Sequence, residues 1–371
     1  MHLTRLRLSN FRNHEHTDLE LGVGISVFVG PNGQGKTNAV EAVNFLASGA
    51  SHRTHNSLAL VKQNSPSAVI NADFVSGERR LNVDVQIESA GSNKARANGN
   101  NIRIRELSRF VHTVMFAPED LRLIRDDPDE RRTFLDGVIE VLSPRMIAVF
   151  SDYERVLKQR NSLLKSLRAL PKSQRDPGTL DLWDEKLVEI GSEIRVARMS
   201  AVSALREPLA HAYRQIAGED HRTEIALVSK ADDLAEEHAE RDDARRTLSI
   251  ALQATRDLDI EKGLSHVGPH RDDVLFSLNS LPTKGYASHG ETWSYALALR
   301  LAVAELIRTG DLGDPILILD DVFAELDNSR RDRLAAAVQS FEQVLVTAAV
   351  VADVPDLGSY KQFNVLAGVV S

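Results

Sequence analysis

Eight residues constrain this chain more than any others: Gly30-Pro31-Asn32-Gly33-Gln34-Gly35-Lys36-Thr37. They follow Gly24-Ile25-Ser26-Val27-Phe28-Val29, a β-branched-rich run with the profile of a buried strand. They precede residues 38–46, where Val40, Val43 and Leu46 recur at helical spacing. Glycines between a strand and a helix start let backbone N–H groups converge on phosphate oxygens without Cβ clashes, and the helix N-terminus adds a favourable field. The G-x-x-x-x-G-K-[ST] spacing predicts an ATP site formed by these eight residues and Asn38. Lys36 is expected to reach the β- and γ-phosphates, and the Thr37 hydroxyl to ligate Mg²⁺.

Such a site needs a carboxylate to hold the metal at the end of a neighbouring apolar strand. Pro315-Ile316-Leu317-Ile318-Leu319-Asp320-Asp321 supplies one, because a parallel core strand reads as a continuous apolar run whose C-terminal edge binds ligands. Asp320 is expected to be the Mg²⁺ carboxylate and Asp321 the group that polarises the attacking water. Standing alone, the run would read as a strand ending in acids at a solvent edge. A third segment, Ala287-Ser288-His289-Gly290-Glu291, introduces a helical stretch over residues 292–307. A serine and a bare glycine at a helix N-terminus make a second phosphate-capping surface. One chain does not easily fold that surface onto its own P-loop, but a second copy can present it in trans. By itself the segment reads as a helix N-cap. Its order between P-loop and acid-ended strand sets it apart, and Ser288, Gly290 and Glu291 are counted with the ATP site.

The rest of the chain bounds the architecture. Its 371 residues, 42% hydrophobic and 26% charged, suit a globular protein of two or three domains. No apolar run approaches the roughly 20 residues that span a bilayer. The first dozen residues carry no apolar block of signal-peptide type. Cysteine is absent, which excludes disulfides and thiol chemistry. The expectation is a cytoplasmic protein. A net charge of −8 names no partner, but charges are segregated. Residues 153–175 are basic, as is the stretch holding Lys94, Arg96, Arg103, Arg105 and Arg109, while residues 232–243 are acidic. Each run reads equally as the solvated face of a helix. Arg103, Arg105 and Arg109 are the candidate contacts for a polyanionic partner.

Residues 1–119 alternate as strands, apart from the helix after the P-loop. From about Pro128 apolar residues recur at three, four and seven, in 153–170 and again in 183–209, across a Pro/Gly connector at 171–178. This predicts an antiparallel helix pair. Strand signals return beyond Gly263. The expected fold class is α/β: a P-loop domain of mixed sheets and helices, made from 1–119 and 259–371, around a mostly helical arm at 120–258.

On these motifs the chain resembles the ABC-type ATPase heads of the SMC-like repair proteins, which split their ATPase around a helical insertion. The likeness also rests on Leu8-Ser9-Asn10-Phe11-Arg12-Asn13, Phe116-Ala117-Pro118-Glu119-Asp120-Leu121 and Arg131-Arg132-Thr133-Phe134-Leu135-Asp136. Gly268-Pro269-His270-Arg271-Asp272-Asp273 and Asp320-Asp321-Val322-Phe323-Ala324-Glu325-Leu326-Asp327 complete it. The resemblance implies a DNA replication, repair and recombination protein of the SOS response that dimerises on ATP and hydrolyses it slowly, with stimulation by DNA. It implies binding to double-stranded DNA and ds/ss junctions and, with RecR and RecO, loading of RecA at single-strand gaps. Three departures stand out: Asp321 where transporters carry Glu, no His after residues 344–347, and Glu291 where the signature usually has Gln. An SMC-like chromosome-structural head would need far longer coiled coils, and a P-loop small-molecule kinase would need neither the signature nor the arm.

Overall fold

Alternating and helical periods fold here into three sheets and nine helices among the described residues, which are 1–54, 56–231, 241–310 and 312–371 of a computed structural model. β1 (His2–Phe11) and β2 (His14–Glu20) form a hairpin, and β3 (Gly24–Val29) feeds α1 (Lys36–Ser48). Then come β4 (Ser67–Ser76), β5 (Arg79–Glu88), β6 (Lys94–Ala97), β7 (Asn100–Ile102), β8 (Thr113–Phe116) and α2 (Leu121–Arg125). The middle of the chain holds α3 (Pro128–Leu142), α4 (Met146–Ala169), α5 (Asp181–Ala217), β9 (Thr223–Val228) and α6 (Arg241–Lys262), then β10 (Asp273–Leu278) and β11 (Leu281–Pro282). α7 (Thr283–Tyr286), α8 (His289–Thr309), β12 (Ile316–Asp320), α9 (Asn328–Val338), β13 (Gln343–Ala348), β14 (Tyr360–Leu366) and β15 (Val369–Val370) complete it.

One sheet has the order β2-β1-β4-β5-β6-β7 and is antiparallel throughout. β4 buries every second residue, Ala68, Ile70, Ala72 and Phe74, the pattern of a sheet with one covered face. A second sheet runs β15-β14-β3-β13-β12-β8, parallel from β14 to β8. Here β12 and β13 are buried at every position, so their unbroken apolar sequences reflect cover on both faces. Val40, Val43 and Leu46 of α1 share one core with Leu6 and Leu8 of β1, Ile70 of β4 and Ile318 of β12. Each such aliphatic side chain contributes about 1.5–3 kcal/mol on burial. The parallel order places the ends of β3, β13 and β12 at one edge, with Ala348 beside Val29 and Thr347 beside Asp320.

The chain divides into two compact units. Unit one comprises Met1–Arg125, Glu207–Thr223 and Thr283–Ser371, and unit two comprises Asp126–Arg206 and Glu224–Pro282. The division falls elsewhere than the helical period suggested, since residues 259–282 join the arm. The reason is pairing: β10 lies between β9 and β11 in a third sheet, and Arg131 of α3 forks onto Asp273. The last part of α5 belongs instead to unit one, where Tyr213 packs edge-on against Tyr295.

Within unit two the basic stretch at 153–175 is not one face. Arg160 is fully buried and donates to Asp184 of α5, Asp259 of α6 and Ser265 at 2.6–2.7 Å. It ties three helices together, and α6 also meets α4 through Ile260, Leu164 and Leu167. Much of the Gly268–Asp273 motif is likewise tied inward, with Arg271 exposed: Tyr153 meets His270 at 2.8 Å, and Arg198 forks onto Asp136 while donating to the Pro269 carbonyl. Burial pushes His270 down to about 4, so its ring stays neutral. The acidic run lies outside the described residues up to 240, and Asp242 and Asp243 open the first turn of α6.

Candidate nucleotide-binding site

The loop between β3 and α1 exists in this shape because of two glycines. A Cβ on Gly30 would lie 2.1 Å from the Val365 carbonyl oxygen of neighbouring β14. Gly35, the N-cap of α1, has φ 117°, and a Cβ there would crowd Asn13 Oδ1 at 2.7 Å. The loop is also gripped from outside. Asn13 Nδ2 and the Gly368 N–H both donate to the Gln34 carbonyl, at 2.9 and 2.8 Å, and the Ala367 N–H donates to Gln34 Oε1 at 2.7 Å. The buried His14 ring spans the carbonyls of Gly35 and Gly368. Gln34, expected among the nucleotide contacts, thus turns its carbonyl and side-chain oxygens to the turn between β14 and β15. Asn38 faces the hairpin turn, donating to Asn13 Oδ1 at 2.8 Å.

Lys36 is buried at 3% exposure, and its ammonium folds back to Asn32 Oδ1 at 3.3 Å and the Pro31 carbonyl at 3.4 Å. Such a cation, held by two weak contacts within a glycine-rich loop, is ready for an anion. Thr37 Oγ1 donates to Asp320 Oδ1 at 2.8 Å, joining residues far apart in the chain. Thr347 Oγ1 donates to the same oxygen at 2.7 Å and accepts the Asp321 N–H at 2.9 Å. Burial raises the Asp320 carboxyl to about 6, against the pull of the Thr347 and Thr37 hydroxyls, with Asp321 and Glu119 adding to the rise. Thr347 is the penultimate residue of β13, in the region where the sequence lacks the histidine of related heads; nothing in its own sequence context marks it.

These groups suit a hard divalent cation. A hydroxyl and a carboxylate sit at hydrogen-bond distance, and no cationic side chain among the described residues pairs with that buried carboxylate. Among the described residues no group of three His, Asp or Glu forms a cage, so most ligands would come from phosphate and water, as Mg²⁺ prefers. Asp321 has φ 51°, a left-handed conformation that aspartate tolerates, and caps the short turn Val322–Glu325.

Ser288 is the N-cap of α8. Its hydroxyl accepts the Glu291 N–H at 3.3 Å while its own N–H donates to Glu291 Oε2 at 2.8 Å, a closed capping box. The Ser288 contacts hold the Glu291 carboxyl below its ordinary range. Gly290 lies under the Arg330 guanidinium, and His289 Nδ1 is 3.0 Å from Arg125 Nη2. Among the described residues no hydrogen bond or ion pair links Ser288, Gly290 or Glu291 to residues 30–38. Arg103, Arg105 and Arg109 lie exposed on and beside the short 3-10 segment Ile104–Arg109, with Glu106 3.7 Å from Arg109.

Comparison with known proteins accounts for this arrangement. The model of the RecF/RecN/SMC N terminal domain matches residues 2–354. A Clavibacter sepedonicus protein named DNA replication and repair protein RecF is 49% identical over all of this chain and 95% of its own length. The chain belongs to the RecF family. A RecF of Streptomyces avermitilis is 47% identical over the whole chain and 99% of that relative. Among solved structures, the recombination mediator protein RecF-ATP in the RecFOR pathway superposes with a TM-score of 0.90 at 29% identity, covering all of this chain and 96% of that one. An Smc head bound to the C-winged helix domain of ScpA gives 0.56 at 14% identity over the whole chain and 96% of that chain, a likeness of fold alone. The RecF fold is thus the expected α/β head with a helical insertion, and no described helix is long and apolar enough to cross a membrane.

Proposed function

We propose that this chain is an ATP-dependent DNA-binding repair protein whose two copies close on ATP. The observation that carries the reading is the Thr37–Asp320 hydrogen bond, which joins the P-loop to the acid-ended strand. The nucleotide phosphates lie against the amides of the glycine-rich loop, and Lys36 turns from Asn32 to meet them. Thr37 and Asp320 hold Mg²⁺, which supplies neutralising charge to the phosphates. Asp321, placed by the Thr347 hydroxyl, orients the attacking water. Its short side chain makes turnover slow.

Ser288 and Gly290 of one copy complete the site of the other, so that hydrolysis resets a binding cycle. Double-stranded DNA and ds/ss junctions are the substrate, Arg103, Arg105 and Arg109 contribute phosphate contacts, and DNA stimulates turnover. The names of the relatives support a place in replication and repair. The likeness to a recombination mediator of the RecFOR pathway supports action with RecR and RecO in loading RecA at gaps, in the cytoplasm. A second reading, an ATPase complete within one chain, is favoured by the closed capping box of Ser288 and Glu291. Sedimentation with ATP, ADP and no nucleotide, with and without gapped DNA, decides between them. Pairing with ATP alone supports the two-copy reading, and a monomer under all conditions overturns it.

A further inference from the structure

Arg330 sits in the first turn of α9, whose N-cap is Asp327. Its backbone N–H donates to Asp327 Oδ1 at 3.0 Å, and its guanidinium returns to the other oxygen of that carboxylate. The same guanidinium reaches α8, where Nε donates to the fully buried Ser294 hydroxyl at 2.9 Å. A Cβ built on Gly290 would lie 3.0 Å from both terminal nitrogens and 3.1 Å from Cζ. Gly290 and Ser294, four residues apart, share one helix face, so the planar group lies flat along the start of α8. Asp327, in turn, follows Asp321 across the single turn Val322–Glu325.

We infer that Arg330 is a positioning residue coupling the segment that carries Asp320 and Asp321 to the start of α8 that bears Ser288 and Gly290. The place of one sets the place of the other inside a protomer. The inference rests on the reading above, in which the start of α8 completes a partner's site. Arginine suits the task because its rigid fork engages Asp327 and Ser294 together, whereas a lysine ammonium offers one point of attachment. Glycine at 290 suits it because a Cβ there would meet the guanidinium at 3.0 Å, so the fork would have to shift by a few tenths of an ångström. Two independent sequence choices, an arginine on α9 and a glycine on α8, meet at one contact.

The test uses Trp293, which adjoins Ser294 and is buried on α8, in a Trp183→Phe background that leaves it the sole tryptophan. ATP is expected to change Trp293 emission in the background protein. Arg330→Gln and Arg330→Lys should abolish that change while ATP affinity stays within about twofold, because the P-loop is untouched. ATP-driven pairing should weaken, and kcat fall, by about tenfold or more with KM for ATP unchanged, as expected for displaced but intact groups. Gly290→Ala should reproduce both losses, and combining it with Arg330→Ala should cost no more than either alone, because both break one contact. Gly290→Ala also keeps the test open if an Arg330 variant does not fold. An ATP-silent Trp293 in the background protein, a normal response in Arg330→Gln, or additive losses overturn the inference. If the background protein fails to pair with ATP while its Trp293 responds, the two-copy reading falls and the coupling stands.

Discussion

Asp320 Oδ1 accepts two hydroxyls at once, Thr37 Oγ1 from the start of α1 and Thr347 Oγ1 from the end of β13. Both donors favour the charged carboxylate, yet burial outweighs them and the group sits near 6. The buried Asp320 charge therefore carries an electrostatic cost that a cation would relieve, and this has measurable consequences.

Removing the charge should stabilise the protein at neutral pH when assayed without nucleotide or metal. The folded carboxyl binds its proton more tightly than the unfolded one, whose ordinary value is 3.8. The folded state then holds more protons between about pH 4 and 6, and stability falls as pH rises through that window. Asp320→Asn should leave the unliganded melting curve unchanged below pH 4 and raise stability by about 3 kcal/mol at most at pH 7. Denaturant melts across pH check it, and a variant less stable at pH 7 contradicts it.

The two acids should part company in binding assays. Asp320→Asn is expected to weaken the Mg²⁺ dependence of ATP binding and to stop hydrolysis. Asp321→Asn should keep ATP bound and hold the protein paired, since only water placement is lost. Calorimetry with Mg·ATP beside sedimentation reads both, and equal loss of binding in the two variants is the adverse result.

Lys36→Ala should lower ATP affinity by about 10- to 100-fold, the range for one charge-assisted hydrogen bond to a phosphate. Lys36 is buried against the loop's own oxygens, so circular dichroism must first establish that the fold persists. Tight ATP binding by a folded variant would remove Lys36 from the site.

Thr347→Val leaves the Asp321 N–H without its acceptor and strips one donor from Asp320. A buried group left unpaired costs about 1–3 kcal/mol, so the variant should melt earlier and hydrolyse ATP more slowly while binding it normally. Unchanged turnover would mean that Thr347 only packs.

DNA affinity should fall steeply with salt, since Lys and Arg displace condensed counterions. Reversing the charges of Arg103 and Arg105 is expected to reduce that slope by about one for each phosphate they no longer neutralise. An identical slope would return these exposed residues to the role of a solvated face.

Local order was legible where one period dominated. The P-loop, the strand ending in Asp320 and the helix after Ser288 could be read because glycine spacing, an unbroken apolar run and an N-cap are local signals. Thr347, His14 and the Ala367–Gly368 turn could not, because their roles come from strands that meet only in the folded sheet. β9 hid between two helices, and with it the pairing that draws β10 into the arm. Arg160 read as surface charge because sequence shows a basic run but not the two aspartates, 184 and 259, that bury it. The grip on the Gln34 side-chain oxygen was hidden for the same reason, since its donor, the Ala367 N–H, lies more than 300 residues away.

That last contact bears on biosynthesis. Residues 367 and 368 leave the ribosome more than 300 residues after Gln34 and Gly35, yet they hold that loop directly and through the bridging His14 ring. A nascent chain stalled before them can assemble β1, β2, β4 and β5, but its loop lacks those clamps. Translation itself thus delays a competent nucleotide cradle until residues 367 and 368 have emerged behind it.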